Sequence, residues 1–192
     1  LSGSAIGFYG DGGEQTLTED SPAGTDWAST LVKDWELATA PAAASGVRTV
    51  LLRTGLVLGE GGLLAPLVPL FRFGLGGSLG NGLFWYSWIH LQDWVSATLM
   101  LLDSKTLQGP FNLTAPNPVR YREFASALGT SLRRPVWLTP PAWVLRLLLG
   151  ERASLMLGSA KAMPARLEAA GFKWQHERLP EALHDIVQTR LD

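Results

Sequence analysis

The sequence predicts an α/β fold with a parallel sheet, and three neighbouring segments carry that prediction. Asp26 is a suitable N-cap for a helix that runs to about Ala44, where Ser45-Gly46 ends it. Residues 47–58 form a strongly β-type run whose centre is apolar without clean alternation, as in a strand covered on both faces. A helix, a glycine turn and a buried strand make the second half of a βαβ unit.

The other elements follow from hydrophobic periodicity and from glycine and proline positions. The first predicted helix carries Trp27, Leu31, Trp35 and Ala38 at helical spacing, so we expect that face to pack inward. Residues 10–22 and 59–82 are predicted loops, the second with an apolar segment at 63–73, and an aromatic block occupies residues 84–90. Further helices are predicted over 93–102, 121–132, 140–149, 160–170 and 179–191, with a short strand over 109–114.

Composition excludes several classes of function. The 192 residues carry 16 basic and 17 acidic side chains, and this balance argues against binding nucleic acid by bulk charge. There is no cysteine, which excludes disulfides, thiolate nucleophiles and cysteine metal sites. The longest nearly uncharged apolar stretch, residues 63–71, is far shorter than the roughly 20 residues that span a bilayer. We therefore expect a cytoplasmic protein with no signal peptide and no membrane association.

The glycine-rich run over residues 74–82 does not match a nucleotide-binding motif. A dinucleotide fingerprint needs GxGxxG, and counting from Gly74 the third glycine position is Leu79. No Lys-Ser/Thr pair follows, so the run is not a P-loop either. We interpret it as a loop that permits positive φ angles, and no such fingerprint occurs elsewhere in the chain.

Acid/base and nucleophilic candidates are few. A tyrosine and a lysine four residues apart would share one helix face, where the lysine charge lowers the tyrosine pKa. None of the three tyrosines is followed four residues later by lysine, and Tyr86 is followed by His90 in the aromatic block. Ser4 lies in GSAIG and not in the GxSxG nucleophile elbow. Its hydroxyl comes just past a strand, however, where it can donate a hydrogen bond into a site above the sheet edge. We assign no role to His176 and His184.

Several strings occur together in a characteristic order. They are SAIGFYG at 4–10, TEDSP at 18–22, Trp35-Glu36, LRTGLVLG at 52–59, FRFGLGG at 71–77, WIHLQD at 88–93 and GPFNLTAP at 109–116. In this order they resemble the extended short-chain dehydrogenase/reductase superfamily, and most closely its NAD(P)-dependent epimerase-like subfamily. That subfamily is also called nucleoside-diphosphate-sugar epimerase or cell-division-inhibitor-like. The tail, with LGSAKAMP at 157–164 and LEAAGF at 167–172, resembles the subfamily's C-terminal domain of unknown function.

The resemblance implies the C-terminal portion of a Rossmann-type fold, in an N-terminally truncated member. Residues 1–135 would be the C-terminal part of the NAD(P)-binding domain with its substrate lobe, and residues 136–192 a small, mostly helical module. Leu1 would end the fifth strand and residues 47–58 would be the sixth. The glycine-rich cofactor loop and about four strands would precede Leu1. The cofactor implied is NADP or NAD, which we expect to bind poorly to this chain alone.

The resemblance also assigns roles to individual residues. Ser4 matches the residue that polarises a substrate oxygen, with Tyr9 as an alternative phenol. The segment passing the nicotinamide side of the cofactor matches Gly55, Leu56 and Val57. The loop bordering the substrate cleft matches Trp88 and His90, while Asp93 is expected to cap the next helix. The usual catalytic pair cannot be carried over: anchored on Glu36, its lysine position is Val32 and its tyrosine position Ala28.

Three functional hypotheses remain, and the last of them, a stand-alone small α/β domain of unrelated role, requires this chain to be complete. The first is an NAD(P)-dependent epimerase or oxidoreductase-like protein acting on a small carbonyl, hydroxyl or nucleotide-sugar substrate. The second is a non-catalytic nucleotide-sensing or protein-binding module on the same fold, related to cell division. The absent tyrosine and lysine leave the enzyme question open between the first two. For both of these the expected partner is a small molecule and not nucleic acid or a membrane, with a homodimer as one option for the oligomeric state.

Overall fold

The computed structural model describes residues 1–137 and 159–189. The strands are β1 Ser2–Ala5, β2 Thr16–Leu17, β3 Val50–Thr54, β4 Leu56–Leu58, β5 Trp85–Tyr86, β6 Trp88–His90, β7 Gly109–Leu113, β8 Val119–Arg120 and β9 Lys161–Ala162. The α-helices are α1 Trp27–Leu37, α2 Ala40–Ala44, α3 Leu64–Arg72, α4 Leu91–Asp103, α5 Tyr121–Ser131, α6 Ala165–Ala169 and α7 Leu179–Thr189, and residues Ile6–Tyr9 form a 3₁₀ helix. Among the helices of these two ranges, none combines the length and apolar character that crossing a bilayer requires.

Three parallel strands in the order β1-β3-β7 form the largest sheet of the described residues. The chain leaves β1, passes through α1 and α2, and returns as β3 parallel to β1, which confirms the predicted α/β class and the βαβ-type connection. The described residues also form three separate two-stranded sheets, β2-β9, β4-β6 and β5-β8, each with strands of two or three residues.

The predicted strand over residues 47–58 is divided at Gly55. Its first part, β3, pairs with β7, whereas its second part, β4, pairs with β6. The Gly55 amide donates to the Leu113 carbonyl, and the next amide donates to the carbonyl of Ser87. A Cβ at position 55 would lie 2.6 Å from that Ser87 oxygen, so the change of partner requires glycine here.

The first helix begins where the sequence predicts but buries a different face. The Asp26 carboxylate accepts a hydrogen bond from the Ser29 amide at 2.8 Å, which confirms the N-cap. The expectation that the tryptophan face packs inward is wrong, because Trp27 is 74% and Trp35 52% exposed. Ser29 and Val32 face the interior instead, since α1 packs closely on β1 and the 3₁₀ helix and small side chains permit that approach. The predicted single helix is also two helices, α1 and α2.

Most of the remaining described elements match their predictions with shifted ends. The apolar segment at 63–73 forms α3, the strand predicted over 109–114 is β7, and the helices predicted over 121–132 and 179–191 are α5 and α7. The helix predicted over 160–170 is wrong at its start, where β9 precedes the short α6, while Gly171 at φ 77° follows α6 as expected. The helix predicted over 140–149 lies outside the described residues.

Three hydrophobic clusters of the described residues hold these elements together, and all three include residues from beyond position 158. One joins α3, α5 and α7 around Trp88 and Phe124. Another places Leu167 and Phe172 against β3, β7 and α4. The third joins Tyr9 and Leu17 to Ala160 and Ala162. The described tail is therefore packed into the body of the protein, and the boundary between residues 135 and 136 stays a prediction.

Candidate functional site

A row of three polar residues crosses the central sheet. Ser4 on β1 is paired in register with Arg53 on β3, and Arg53 is paired with Asn112 on β7. All three are buried. Buried polar groups must find hydrogen-bond partners, so this row implies a network on the same face of the sheet.

Glu36 of α1 provides the anionic centre of that network. Arg53 donates from Nε to Glu36 Oε1 and from Nη2 to Glu36 Oε2, both at 2.8 Å. This bidentate ion pair is almost enclosed, with side chains 5% and 9% exposed. The Phe8 ring lies over the guanidinium, 3.5 Å from Cζ, and covers its flat face.

The Ser4 hydroxyl belongs to this network. Ser4 Oγ donates to Glu36 Oε1 at 2.6 Å, the same oxygen that accepts from Arg53 Nε. The proton of Ser4 is thus directed at the carboxylate, which leaves the oxygen lone pairs as the free hydrogen-bonding capacity of the hydroxyl. Ser4 stays a predicted catalytic residue.

Tyr9 connects the ion pair to the third strand. Its hydroxyl donates to Asn112 Oδ1 at 2.7 Å and accepts from Arg53 Nη1 at 3.0 Å. Burial raises the pKa of the Tyr9 phenol, although the hydrogen bond from Arg53 opposes that effect. The backbone N–H of Asn112 in turn donates to Glu19 Oε1 at 2.9 Å. Tyr9 stays a predicted alternative phenol, with its proton held by Asn112.

The residues predicted to pass the cofactor lie at the carboxyl edge of the same sheet. Ala5 at the end of β1 is paired with Thr54 at the end of β3, so Ser4 and the segment of Gly55, Leu56 and Val57 share one edge. In open parallel sheets, ligands bind beyond this edge. All three residues of that segment are partly exposed.

The two predicted cleft residues are both buried. Trp88 is fully enclosed in a hydrophobic core, and its indole nitrogen donates to the Asn117 carbonyl at 3.1 Å. His90 is 3% exposed and caps α4, because its Nδ1 accepts from the Gln92 amide at 3.2 Å. Their roles at the substrate remain predictions.

The prediction that Asp93 caps α4 is wrong, because the N-cap residue of this helix is His90. The Asp93 carboxylate is completely buried and accepts from the backbone amides of Gln175 at 2.7 Å and His176 at 3.0 Å. His176, for which no role was predicted, stacks on His90 with ring centroids 3.9 Å apart. Asp93 and His90 therefore fasten the tail of the chain to α4.

A cavity of about 370 Å³ lies between the loop after the 3₁₀ helix and the glycine-rich run. Its lining includes Asp11 and Gly13 from the former, Gly80 and Asn81 from the latter, and Phe84 from the aromatic block. The resemblance implies a substrate between Ser4, the glycine-rich loop and the aromatic block; this cavity is lined by the second and third of these, but Ser4 is not a lining residue. A larger cavity of about 840 Å³ opens between α5 and α7, and none of the network residues lines either cavity.

The network residues that the sequence patterns did not predict are Arg53, Asn112 and Glu19. Arg53 and Asn112 interrupt two otherwise apolar strands, and a charged or amide side chain in a buried strand signals a required partner. That signal was available in the sequence. Glu19 sits in a polar loop, where no pattern distinguishes it from an exposed acid.

The chain resembles known proteins along nearly its whole length. Residues 140–186 match a family model described as a domain of unknown function, DUF1731. An epimerase family protein of Mycobacterium leprae is 44% identical over 186 residues, which cover 95% of this chain and 60% of that protein. The chloroplastic SDR39U1 homolog of Arabidopsis thaliana, also an epimerase family protein, is 40% identical over 98% of this chain and 54% of its own length.

A solved structure supports the same assignment. The human epimerase family protein SDR39U1, in a crystal structure with NADPH, superposes with a TM-score of 0.88 at 30% identity, over 97% of this chain and 64% of that one. The chain thus spans about 60% of the length of the relatives it matches. With its parallel sheet and these likenesses, the chain is similar to NAD(P)-dependent epimerase-like proteins of the extended short-chain dehydrogenase/reductase superfamily.

Proposed function

We propose that this chain forms the substrate side of an NAD(P)-dependent epimerase-like oxidoreductase that acts on a small carbonyl, hydroxyl or nucleotide-sugar substrate. The single observation that carries the proposal is the Ser4 hydroxyl, held at the carboxyl edge of β1 by the buried pair of Glu36 and Arg53. A hydroxyl fixed at this edge is suited to orient a substrate oxygen.

The cofactor would approach the same edge. NADP or NAD supplies hydride transfer when bound. The nicotinamide end of the cofactor would be bordered by Gly55, Leu56 and Val57. Because residue 55 is glycine, the backbone of Ser87 and the side chain of Thr114 can approach it closely. The chain contains no glycine-rich dinucleotide fingerprint. We therefore propose that this chain by itself binds NADPH weakly. Micromolar affinity for NADPH in a calorimetric titration of this chain would contradict the proposal.

The network lets Ser4 exchange partners without exposing a buried charge. In the structure Ser4 donates to Glu36, and its oxygen is ready to accept from a substrate hydroxyl. If Ser4 turns to donate to a substrate carbonyl, Glu36 keeps both hydrogen bonds from Arg53. The ion pair thus supports Ser4 with either redox state of the substrate.

A non-catalytic nucleotide-sensing or protein-binding module is the second candidate. It is favoured by the two positions where relatives with the usual chemistry carry tyrosine and lysine. Ala28 and Val32 occupy them, Val32 is buried, and the adjacent Lys33 is exposed to solvent. Proton transfer would then need another group, such as Tyr9.

Turnover by the protein as expressed from its gene separates the two candidates. We expect NADPH oxidation with at least one member of a panel of carbonyls and nucleotide sugars, and a loss of at least tenfold in kcat for Ser4→Ala. The matched control is Ser45→Ala, because Ser45 is exposed and its hydroxyl bonds only within α2. Tight NADPH binding without turnover of any panel member would favour the sensing module.

A further inference from the structure

Two cations and one indole lie together at the β5-β8 pair. Trp85 and Arg120 are directly opposite each other on these antiparallel strands. The guanidinium carbon of Arg120 lies 3.8 Å from the centre of the Trp85 ring, and Lys161 Nζ lies 4.8 Å from the same centre. We call Trp85, Arg120, Lys161 and Glu14 the Trp85 cluster.

The Arg120 guanidinium is held in one position. It stacks on Trp85 and donates to the Leu83 carbonyl, and its side chain is only 17% exposed. The Trp85 backbone is fixed in turn, because its amide donates to Ser159 Oγ at 3.0 Å. A stacked guanidinium with its fork already oriented loses little conformational freedom when it binds an anion.

The Trp85 cluster lies next to the cavity of about 370 Å³ described above, although none of its four members is a lining residue. Leu83 and Ser159, which contact Arg120 and Trp85, are both lining residues of that cavity. Gly13, also a lining residue, directly precedes Glu14 in the chain. The Trp85 cluster therefore adjoins the candidate substrate cavity through these lining residues.

Glu14 is the exposed member of the cluster. It pairs with Arg120, yet its side chain is 76% exposed, so water competes strongly for it. It lies on a loop whose neighbouring Gly13 has φ 54°, and the other acid of this loop, Asp11, is used to accept from the Gly13 amide. One exposed carboxylate thus faces two positive charges, Arg120 and Lys161.

We propose that Arg120 and Lys161 bind an anionic group, phosphate or carboxylate, of the molecule that occupies this cavity, and that Glu14 holds the Arg120 site until the anion displaces it. The bidentate fork of Arg120 matches both kinds of anion, and Lys161 adds a second positive charge. The inference rests on the proposed function only in taking the cavity as the substrate site. It names Arg120 and Lys161 as specificity-determining residues, which select anionic substrates.

Calorimetric titration of this chain with two probes, pyrophosphate and succinate, tests the proposal and separates its two anion classes. Wild type is expected to bind at least one probe, and the tighter one identifies the preferred anion. Glu14→Gln removes the internal competitor, so the affinity is expected to rise two- to fivefold. Arg120→Gln is expected to weaken binding at least tenfold, and Lys161→Gln about threefold.

Arg178→Gln is the matched control, because Arg178 forms an exposed pair with Glu181 on α7. The affinity of Arg178→Gln for the probe should stay within twofold of the wild-type affinity. If circular dichroism shows that Arg120→Gln is unfolded, the affinity of Glu14→Gln for the probe tests the proposal instead. Glu14 is exposed, so this substitution leaves the packing intact. Absence of binding of both probes at millimolar concentration in wild type and Glu14→Gln, or unchanged affinity in a folded Arg120→Gln, would overturn the proposal. The titration contains no cofactor, so its outcome is independent of whether the protein turns over NADPH.

Discussion

Ser4 and Glu36 are joined by a 2.6 Å hydrogen bond, although 32 positions separate them in the chain. The bond links the end of the first strand of the sheet to the helix that follows it. Arg53, the cross-strand neighbour of Ser4, neutralises the carboxylate from the next strand. The candidate catalytic hydroxyl is therefore positioned by a buried ion pair that the fold itself assembles.

Removing one partner of this ion pair should be strongly destabilising. Glu36→Ala leaves Arg53 charged and buried, so we expect a loss of about 3–5 kcal/mol in the free energy of unfolding, measured by urea denaturation. Replacing both partners, as in Glu36→Leu with Arg53→Met, should recover most of that loss. Glu181→Ala, which removes an exposed pair, should cost below about 1 kcal/mol. Equal effects of the two alanine substitutions would contradict this account.

Gly55 should not tolerate a side chain. In Gly55→Ala the new Cβ would meet the Ser87 carbonyl oxygen at 2.6 Å, and backbone cannot move aside as a flexible side chain can. We expect a destabilisation of about 1–3 kcal/mol, read as a lower Tm in thermal unfolding. The control is Gly61→Ala, because a Cβ there has nothing within 4 Å. A Tm for Gly55→Ala equal to that of the control would show that the strand crossing is loose.

Asp93 should control the docking of the tail on α4. In Asp93→Asn one carboxylate oxygen becomes a donor, so one of the amides of Gln175 and His176 loses its acceptor. We expect a cost of about 1–3 kcal/mol, with faster hydrogen exchange at residues 175–189. Asp103→Asn, at the exposed end of the same helix, is the control and should leave that exchange unchanged. Unchanged exchange in Asp93→Asn would exclude this role.

His90 should make stability depend on pH. Burial lowers its pKa below the ordinary 6.5, and the neighbouring His176 adds to that effect, while Asp185 and Asp93 oppose it. Because the unfolded chain then binds the proton more readily, stability should be full above about pH 6.5 and fall as the pH drops below it. His90→Asn, which retains a good N-cap residue, should flatten this decline.

The measurement is the free energy of unfolding by urea between pH 5 and pH 8. His184→Asn is the matched control, since His184 is exposed on α7 and its replacement should leave the slope unchanged. A slope in His90→Asn identical to that of wild type would assign the pH dependence to other groups.

The sequence predicted the elements of the fold better than it predicted their faces. Strongly patterned features, such as the Asp26 cap and the buried strand before Gly55, appear where local chemistry places them. The inward face of α1 was wrong because the largest apolar residues, Trp27 and Trp35, are not those that permit the closest approach to β1. Periodicity locates a stripe, but tertiary packing decides which stripe is buried.

The candidate site was predictable only in part. The strings of the family resemblance identified Ser4 and the segment from Gly55 to Val57, which lie on one sheet edge. The partners of Ser4 were hidden, because Glu36 and Arg53 come from other elements and meet only through the strand register. The cavity and the Trp85 cluster likewise combine segments more than 100 residues apart, which spacing along a chain cannot reveal.

The measurement that tests the central claim most directly is the kcat of the protein as expressed from its gene, compared among wild type, Ser4→Ala and Ser4→Thr. The account predicts a loss of at least tenfold for Ser4→Ala, near-wild-type turnover for Ser4→Thr because threonine keeps the hydroxyl, and unchanged NADPH affinity in all three. Full activity in Ser4→Ala, or no turnover of any carbonyl or nucleotide sugar by wild type, would contradict it.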